Sequence, residues 1–134
     1  MFLKEINGGC FMILLTNILP SIIFIVLGTI LKLWPPKEIN HAFGYRTFFA
    51  MKNNETWKEG NSFSSAMLIL SGVIALFFSI SVTFLYSNAP SISSTLSGVG
   101  SILLGLSFGF YTEVHLRRIF DKDGKRKVES EVLQ

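Results

Sequence analysis

The sequence predicts an all-α integral membrane protein with three transmembrane helices, and two observations carry that prediction. Only 16% of the 134 residues are charged and 49% are hydrophobic, whereas a soluble domain carries about 25% charge. The charges are also unevenly placed: none falls between Phe11 and Leu31, and none between Asn61 and Thr112. Such runs exceed the roughly 20 residues a helix needs to cross a bilayer. They are continuous and rich in Leu, Ile and Phe, whereas barrel strands would alternate in segments of about 10 residues. With a mean hydropathy of +0.48, residues 1–134 are expected to form one membrane domain with no separate soluble part.

The first span is expected over about 11–33. Its apolar run is longer than the roughly 7–15 residues of a signal-peptide core. It ends in Lys32, Trp34, Pro35 and Pro36 rather than a cleavage site, so it reads as a mature helix. Cys10 has no apolar run before Gly8-Gly9 and does not make a lipoprotein site. Pro20 removes one backbone hydrogen bond inside this span and is expected to bend it. Thr16 and Asn17 are candidates to re-satisfy the freed carbonyl, or Asn17 bonds across to another helix.

Trp34-Pro35-Pro36 stops the first helix, because a residue before proline is pushed out of the α region. The loop 34–63 follows. Apolar residues at Ile39, Ala42, Phe43, Phe49, Ala50 and Met51 predict a short interfacial helix over 38–52, broken near Gly44. Asn53-Asn54 marks a turn, and Thr56 or Asn54 is expected to cap a further helix through Trp57 that feeds the second span.

The second and third spans, about 64–86 and 92–111, are joined by Ser87–Ser91, a link short enough to force an antiparallel hairpin. Small residues recur every fourth position: Ser71, Ala75, Ser79 and Thr83 in one arm, and Ser93, Ser97, Ser101, Gly105 and Gly109 in the other. That spacing lets helix backbones approach closely in lipid, so these are read as helix contacts. No internal repeat is visible.

Of the 12 Lys and Arg residues, all but Lys4 lie in the loop, on its flanks or from Arg117 onward. The positive-inside rule therefore puts the N-terminus outside, and the loop and the tail 117–134 in the cytoplasm. Trp34, Trp57, Tyr86 and Tyr111 fall near helix ends as interfacial anchors. The tail interleaves Lys122, Lys125, Arg126 and Lys127 with Asp121, Asp123, Glu129 and Glu131, and reads as a solvated segment at the membrane surface. It would favour anionic lipid by about 1 kcal/mol per base near the surface. Nucleic acid is disfavoured as a partner, since acids interrupt the run and the net charge is only +3.

Catalytic and metal-binding constellations are not evident. His41 and His115 lack any HExxH-type spacing, and one cysteine offers neither a disulfide framework nor a metal cluster. No glycine-rich phosphate loop occurs. Asp121-Lys122-Asp123-Gly124 resembles part of a calcium loop, but Ile119 holds the place of the first ligand and Ser130 that of the terminal Glu. It reads instead as a turn ending the third helix. The chain is therefore expected to be no enzyme and to hold no cofactor or metal.

Specific content concentrates in Asn40–Asn61, NHAFGYRTFFAMKNNETWKEGN, which carries more than a connector requires. Arg46 offers a planar fork suited to a phosphate or carboxylate, such as a lipid headgroup or a peptide terminus. The bland reading is positive-inside decoration, as for Lys52 and Lys58; the flanking Gly44, Tyr45 and Thr47 favour function. Glu113, at the end of the third span, is a carboxylate close to hydrocarbon, a placement normally paired or functional. Arg46 is its expected partner, and the alternative is exposure in the headgroup layer beside His115, Arg117 and Arg118.

The order Asn40-x-x-x-Gly44-Tyr45-Arg46-Thr47, then Met51-Lys52-Asn53, then Glu55-Thr56-Trp57-x-x-x-Asn61 resembles the SdpI family, small bacterial membrane proteins named for immunity to a secreted killing peptide. The three-helix frame and the ending Glu113…Phe120-Asp121-Lys122-Asp123-Gly124 are similar too. Longer members carry extra helices, and this chain matches the minimal three-helix part. The resemblance carries over to Asn40, Gly44, Arg46, Thr47, Trp57 and Asn61. With Tyr45, Asn53 and Glu113 they form the candidate functional set. It implies a non-enzymatic immunity protein of the bacterial cytoplasmic membrane, which binds a toxic peptide or masks its target in the lipid bilayer and has a signalling role. The alternatives are a scaffold recruiting a cytoplasmic regulator, or a small transporter assembled as a homo-oligomer through the small-residue stripes. Against the transporter, the spans hold almost no ionisable groups.

Overall fold

A computed structural model describes residues 2–127, with side chains from Gly8 onward. It contains three helices, α1 (Phe2–Leu33), α2 (Asn54–Leu85) and α3 (Pro90–Ile119), each long and apolar enough to cross a membrane. The packing is inside out relative to a soluble bundle. Phe77, Leu85, Leu106 and Phe110 face outward, while Asn17, Ser21, Ser65, Ser71, Ser79, Thr83, Ser93, Ser97 and Ser101 are buried between the helices. Lipid supplies no hydrophobic drive for helix association, so small residues and interhelical hydrogen bonds hold the bundle together. Ser79, Ser97 and Ser101 bury hydroxyls that find no partner among the described residues, and nothing in the structure explains them.

α2 sits between the other two and packs against both, while α1 and α3 touch less. The α1–α2 seam shows a relation that is not evident in the sequence alone. A side chain on Gly28 would lie 2.9 Å from the Ile69 nitrogen and 3.0 Å from the Ser65 carbonyl oxygen. One on Gly72 would lie 2.9 Å from the Ile25 nitrogen and 2.9 Å from the Ser21 carbonyl oxygen. The contact is reciprocal because Asn17, Ser21, Ile25 and Gly28 of α1 recur at the same spacing as Asn61, Ser65, Ile69 and Gly72 of α2. A local two-fold axis thus relates the two antiparallel helices. The repeat is masked in sequence by the unlike residues that face lipid.

Asn17 bonds across the bundle, donating to Thr83 Oγ1 and to Ser93 Oγ, both at 2.9 Å. It joins all three helices, as one of its two expected roles required. Its other expected role is not taken: Asn17 Nδ2 is used across the bundle, and Thr16 donates to the Met12 carbonyl. α1 stays helical through Pro20.

Several boundaries differ from those expected. α2 begins at Asn54, so the predicted feeder helix through Trp57 is the first part of the second span. Its cap is Asn53, not Thr56 or Asn54: Asn53 Oδ1 accepts from the Glu55 and Thr56 amides at 2.9 Å, and Thr56 Oγ1 accepts from the Asn53 amide at 3.1 Å. Such a reciprocal cap is worth about 1 kcal/mol. The predicted interfacial helix over 38–52 is not formed; residues 34–53 are bends and a single turn. Asn40 Oδ1 takes the Ala42 and Phe43 amides, which keeps Asn40 itself out of a helix interior, and Gly44 at φ 114° stops any helix from continuing past it.

α3 continues past Tyr111 to Ile119, and residues 120–127 fold back. Phe120 and Arg126 pair across a tight turn, in which Gly124 takes φ 80° and Asp121 Oδ1 accepts from the Asp123 and Lys125 amides at 2.9 and 2.8 Å. The expected turn after α3 is present; its backbone is held to the bundle at Gly124, while Lys122, Asp123, Lys125 and Arg126 stay exposed, as a solvated segment requires. The end of the expected tail, 128–134, lies outside the described residues.

The seam predicts opposite signs for one substitution. Alanine is favoured over glycine by about 1 kcal/mol in a helix interior, and Gly98 has nothing within 4 Å of where a side chain would sit. Gly98→Ala should therefore leave stability unchanged or raise it. Gly28→Ala and Gly72→Ala should each lower it by about 1–3 kcal/mol through overpacking against backbone. Unfolding in mixed detergent micelles would measure all three.

Candidate functional site

At the loop-bearing end of the bundle, residues 34–53, the start of α2, the end of α3 and the turn 120–127 close into a small cap. Its core is Phe49, Ala50, Leu116 and Phe120, with Tyr45 and Ile119 packed against it. Trp57 is fully buried and donates from Nε1 to the Pro36 carbonyl at 3.0 Å, which ties the end of α1 to α2. Asn53 Nδ2 donates to the Gly124 carbonyl at 2.7 Å, fastening the turn to the start of α2.

Asn61 is the centre of the cap. Its Oδ1 accepts the Tyr45 amide at 2.7 Å, and its Nδ2 donates to the Trp57 carbonyl at 2.8 Å. Gly44 lies so close to Asn61 that any side chain there would collide with Oδ1, and its φ of 114° is one that L-residues rarely adopt. Tyr45 then reaches the opposite wall, donating from its hydroxyl to the Gly109 carbonyl at 2.9 Å. Burial, together with the nearby Glu113 charge, pushes the Tyr45 phenol up to about 12, so it stays a donor. Thr47 Oγ1 accepts the Ala50 amide at 3.2 Å and shapes the turn that follows.

The structure thus brings Gly44, Tyr45, Trp57 and Asn61 into one hydrogen-bonded unit, with Thr47 and Asn53 supporting the turns beside it. Asn40 shapes the loop on its own. Arg46 is exposed and donates to the His41 carbonyl. The expected Arg46–Glu113 bridge is not formed. Glu113 pairs instead with Arg117 one turn further on, 2.7 Å from Nη2, because α3 stays helical there and sets the two at i, i+4 spacing. Glu113 Oε2 is buried and has no partner among the described residues.

A second cluster went unnoticed in sequence. Glu59 meets His115 Nε2 at 3.0 Å, His115 stacks on Phe63 with ring centres 3.6 Å apart, and Arg126 pairs with Glu55 at 2.8 Å. Glu55 and Glu59 stand one turn apart on α2, which was the available signal; the extension of α2 back to Asn54 was needed to read it.

Beneath the loop lies a cavity of about 150 Å³ lined by Leu31, Gly44, Tyr45, Ser64, Met67, Leu68, Gly105, Phe108, Gly109 and Thr112. An adjoining concavity shares Leu31, Gly44 and Leu68 and adds Leu27, Ala42, Phe43 and Arg46. Together they form an apolar crevice between the loop and the helices, with a guanidinium on its rim.

These features define a small three-helix membrane protein whose connecting loop is locked onto the bundle end. A model of the SdpI/YfhL protein family matches residues 37–112, from the loop into α3, and the chain belongs to that family. The uncharacterised protein YfhL of Bacillus subtilis (strain 168) is 38% identical over 60 residues, 45% of this chain and 54% of the relative. The match therefore spans about half of that curated relative. No solved structure matches.

Two outcomes test this geometry. Asn61→Ala leaves the Tyr45 amide and the Asn61 pocket unsatisfied and should cost about 1–3 kcal/mol, with Gly44→Ala destabilising as well; thermal unfolding in detergent reads both. The Tyr45 phenol has a folded value raised above its ordinary value of about 10, so its stabilising effect is complete below pH 10 and is lost as pH rises towards 12. Tyr45→Phe should remove that alkaline loss in a pH-resolved melt.

Proposed function

We propose that the protein is an immunity protein of a bacterial cytoplasmic membrane, protecting the cell against a membrane-active killing peptide by binding rather than by catalysis. Membership of the SdpI/YfhL family favours this reading, and the crevice beneath the loop is the observation that carries it. A secreted peptide arrives from the side opposite the loop, where the link between α2 and α3 is only a few residues long and offers little to grip. The peptide is therefore met after it enters the bilayer. Leu27, Leu31 and Leu68 give an apolar surface for an inserted segment, and Arg46 gives its carboxylate or a lipid phosphate a partner.

The locked loop keeps Arg46 at the rim. The basic residues at this end of the bundle support a cytoplasmic orientation for it. A fusion of a fluorescent protein after Gln134 should then fluoresce, and a fusion of alkaline phosphatase at the same place should be inactive. The reverse pattern would refute the orientation.

The functional test is survival of a sensitive strain under secreted killing peptides. Wild type should protect, and Arg46→Ala should lose most protection while its membrane level is unchanged. Trp57→Ala should lose protection together with protein level, because Trp57 is structural. Absence of protection by wild type against every peptide tested would reject the immunity reading and turn attention to a cytoplasmic regulator.

A further inference from the structure

The folded-back turn after α3 builds a second feature, separate from the crevice. Phe48, Phe49, Lys52, Arg117, Phe120, Asp121, Lys122 and Lys127 enclose a concavity of about 540 Å³ open to the surroundings. Lys52 and Arg117 stand on the Phe49 ring, 4.9 and 5.0 Å from its centre. Lys52 donates to the Lys122 carbonyl, and Lys127 Nζ donates to the Arg117 carbonyl at 3.0 Å. The two lysines are thereby held in place by neutral acceptors that leave their charge uncompensated.

Among the described residues, Lys52, Lys122 and Lys127 have no carboxylate partner, whereas Arg117 has Glu113. Asp121 also lines the cup and keeps its negative charge while its Oδ1 accepts the Asp123 and Lys125 amides, so it offsets one of the three lysines. Counted over the described residues, the cup therefore carries surplus positive charge. Its opening is marked by Phe48, a large apolar ring that is 88% exposed.

Depth identifies the counter-charge. The apolar part of α3 ends near Tyr111, and at about 1.5 Å per residue Arg117 lies roughly 9 Å further along the axis. Headgroups occupy roughly the first 5–8 Å beyond the hydrocarbon, so the bases stand at the outer edge of that layer, from which long lysine side chains reach back to lipid phosphates. We propose that this cup binds the phosphate of an anionic phospholipid from the surrounding bilayer, with Lys52, Lys122 and Lys127 as its ligands and the exposed Phe48 ring packing against the lipid at the mouth of the cup. A charge-lined pocket at the headgroup level selects such lipids over zwitterionic ones.

The test uses the full chain in nanodiscs of equal parts phosphatidylglycerol and phosphatidylcholine, with retained lipid counted by native mass spectrometry. Wild type should retain phosphatidylglycerol preferentially. Lys122→Gln, whose side chain makes no hydrogen bond among the described residues, should fold normally and lower that preference about fivefold. The triple variant Lys52→Gln/Lys122→Gln/Lys127→Gln should abolish it. A control triple, Lys37→Gln/Lys58→Gln/Lys125→Gln, removes the same charge from the same end of the bundle outside the cup and should keep the preference. Equal losses in the two triples would reduce the effect to diffuse attraction and overturn the site. No preference in wild type, or displacement of the lipid by millimolar inorganic phosphate, would overturn it equally.

Discussion

The cap depends on the side-chain amide of Asn61. It is buried, accepts the one loop amide that reaches it and returns a hydrogen bond to the Trp57 carbonyl of its own helix. A buried amide left unpaired is costly, so the loop is held by the penalty of letting go as much as by the bonds themselves. Gly44 is required because nothing larger fits above Oδ1, and Tyr45 is carried to Gly109 because its own amide is fixed. The position of Arg46, one residue on, follows from these constraints.

Asn61 is also the end of a longer device. In lipid, helices gain little from hiding apolar surface, so backbones must approach closely or share hydrogen bonds. The reciprocal seam of Gly28 and Gly72 provides the first and the paired asparagines provide the second. Asn17 joins three helices at one end of the seam, and Asn61 joins the loop to α2 at the other. The same short pattern thus does two jobs because the antiparallel helices place its copies at opposite ends.

Most of this fold was legible in sequence, because absent charge over long runs has few physical explanations. The three spans, the hairpin between α2 and α3 and the turn at Asp121–Gly124 follow from local chemistry. What was not legible depends on contacts between distant segments. Apolar spacing at Ile39, Ala42 and Phe43 predicts an interfacial helix, yet the Asn40 side chain and the φ of Gly44 impose a different path. A shared side of the membrane suggests Arg46 as the partner of Glu113; the continued α3 brings Arg117 nearer. For the candidate site, Gly44, Tyr45 and Trp57 meet at Asn61, whereas Asn40, Arg46 and Glu113 stand apart from that unit. Arg46 is exposed at the rim of a crevice that no local pattern reveals.

The central claim is that Asn61 locks the loop onto the bundle, and amide hydrogen exchange at Tyr45 tests it most directly. The Tyr45 amide should exchange orders of magnitude more slowly than those of the exposed His41 and Arg46, at a rate close to that of the α2 amides around Asn61. Exchange of Tyr45 as fast as its exposed neighbours would show an unlocked loop and contradict the account.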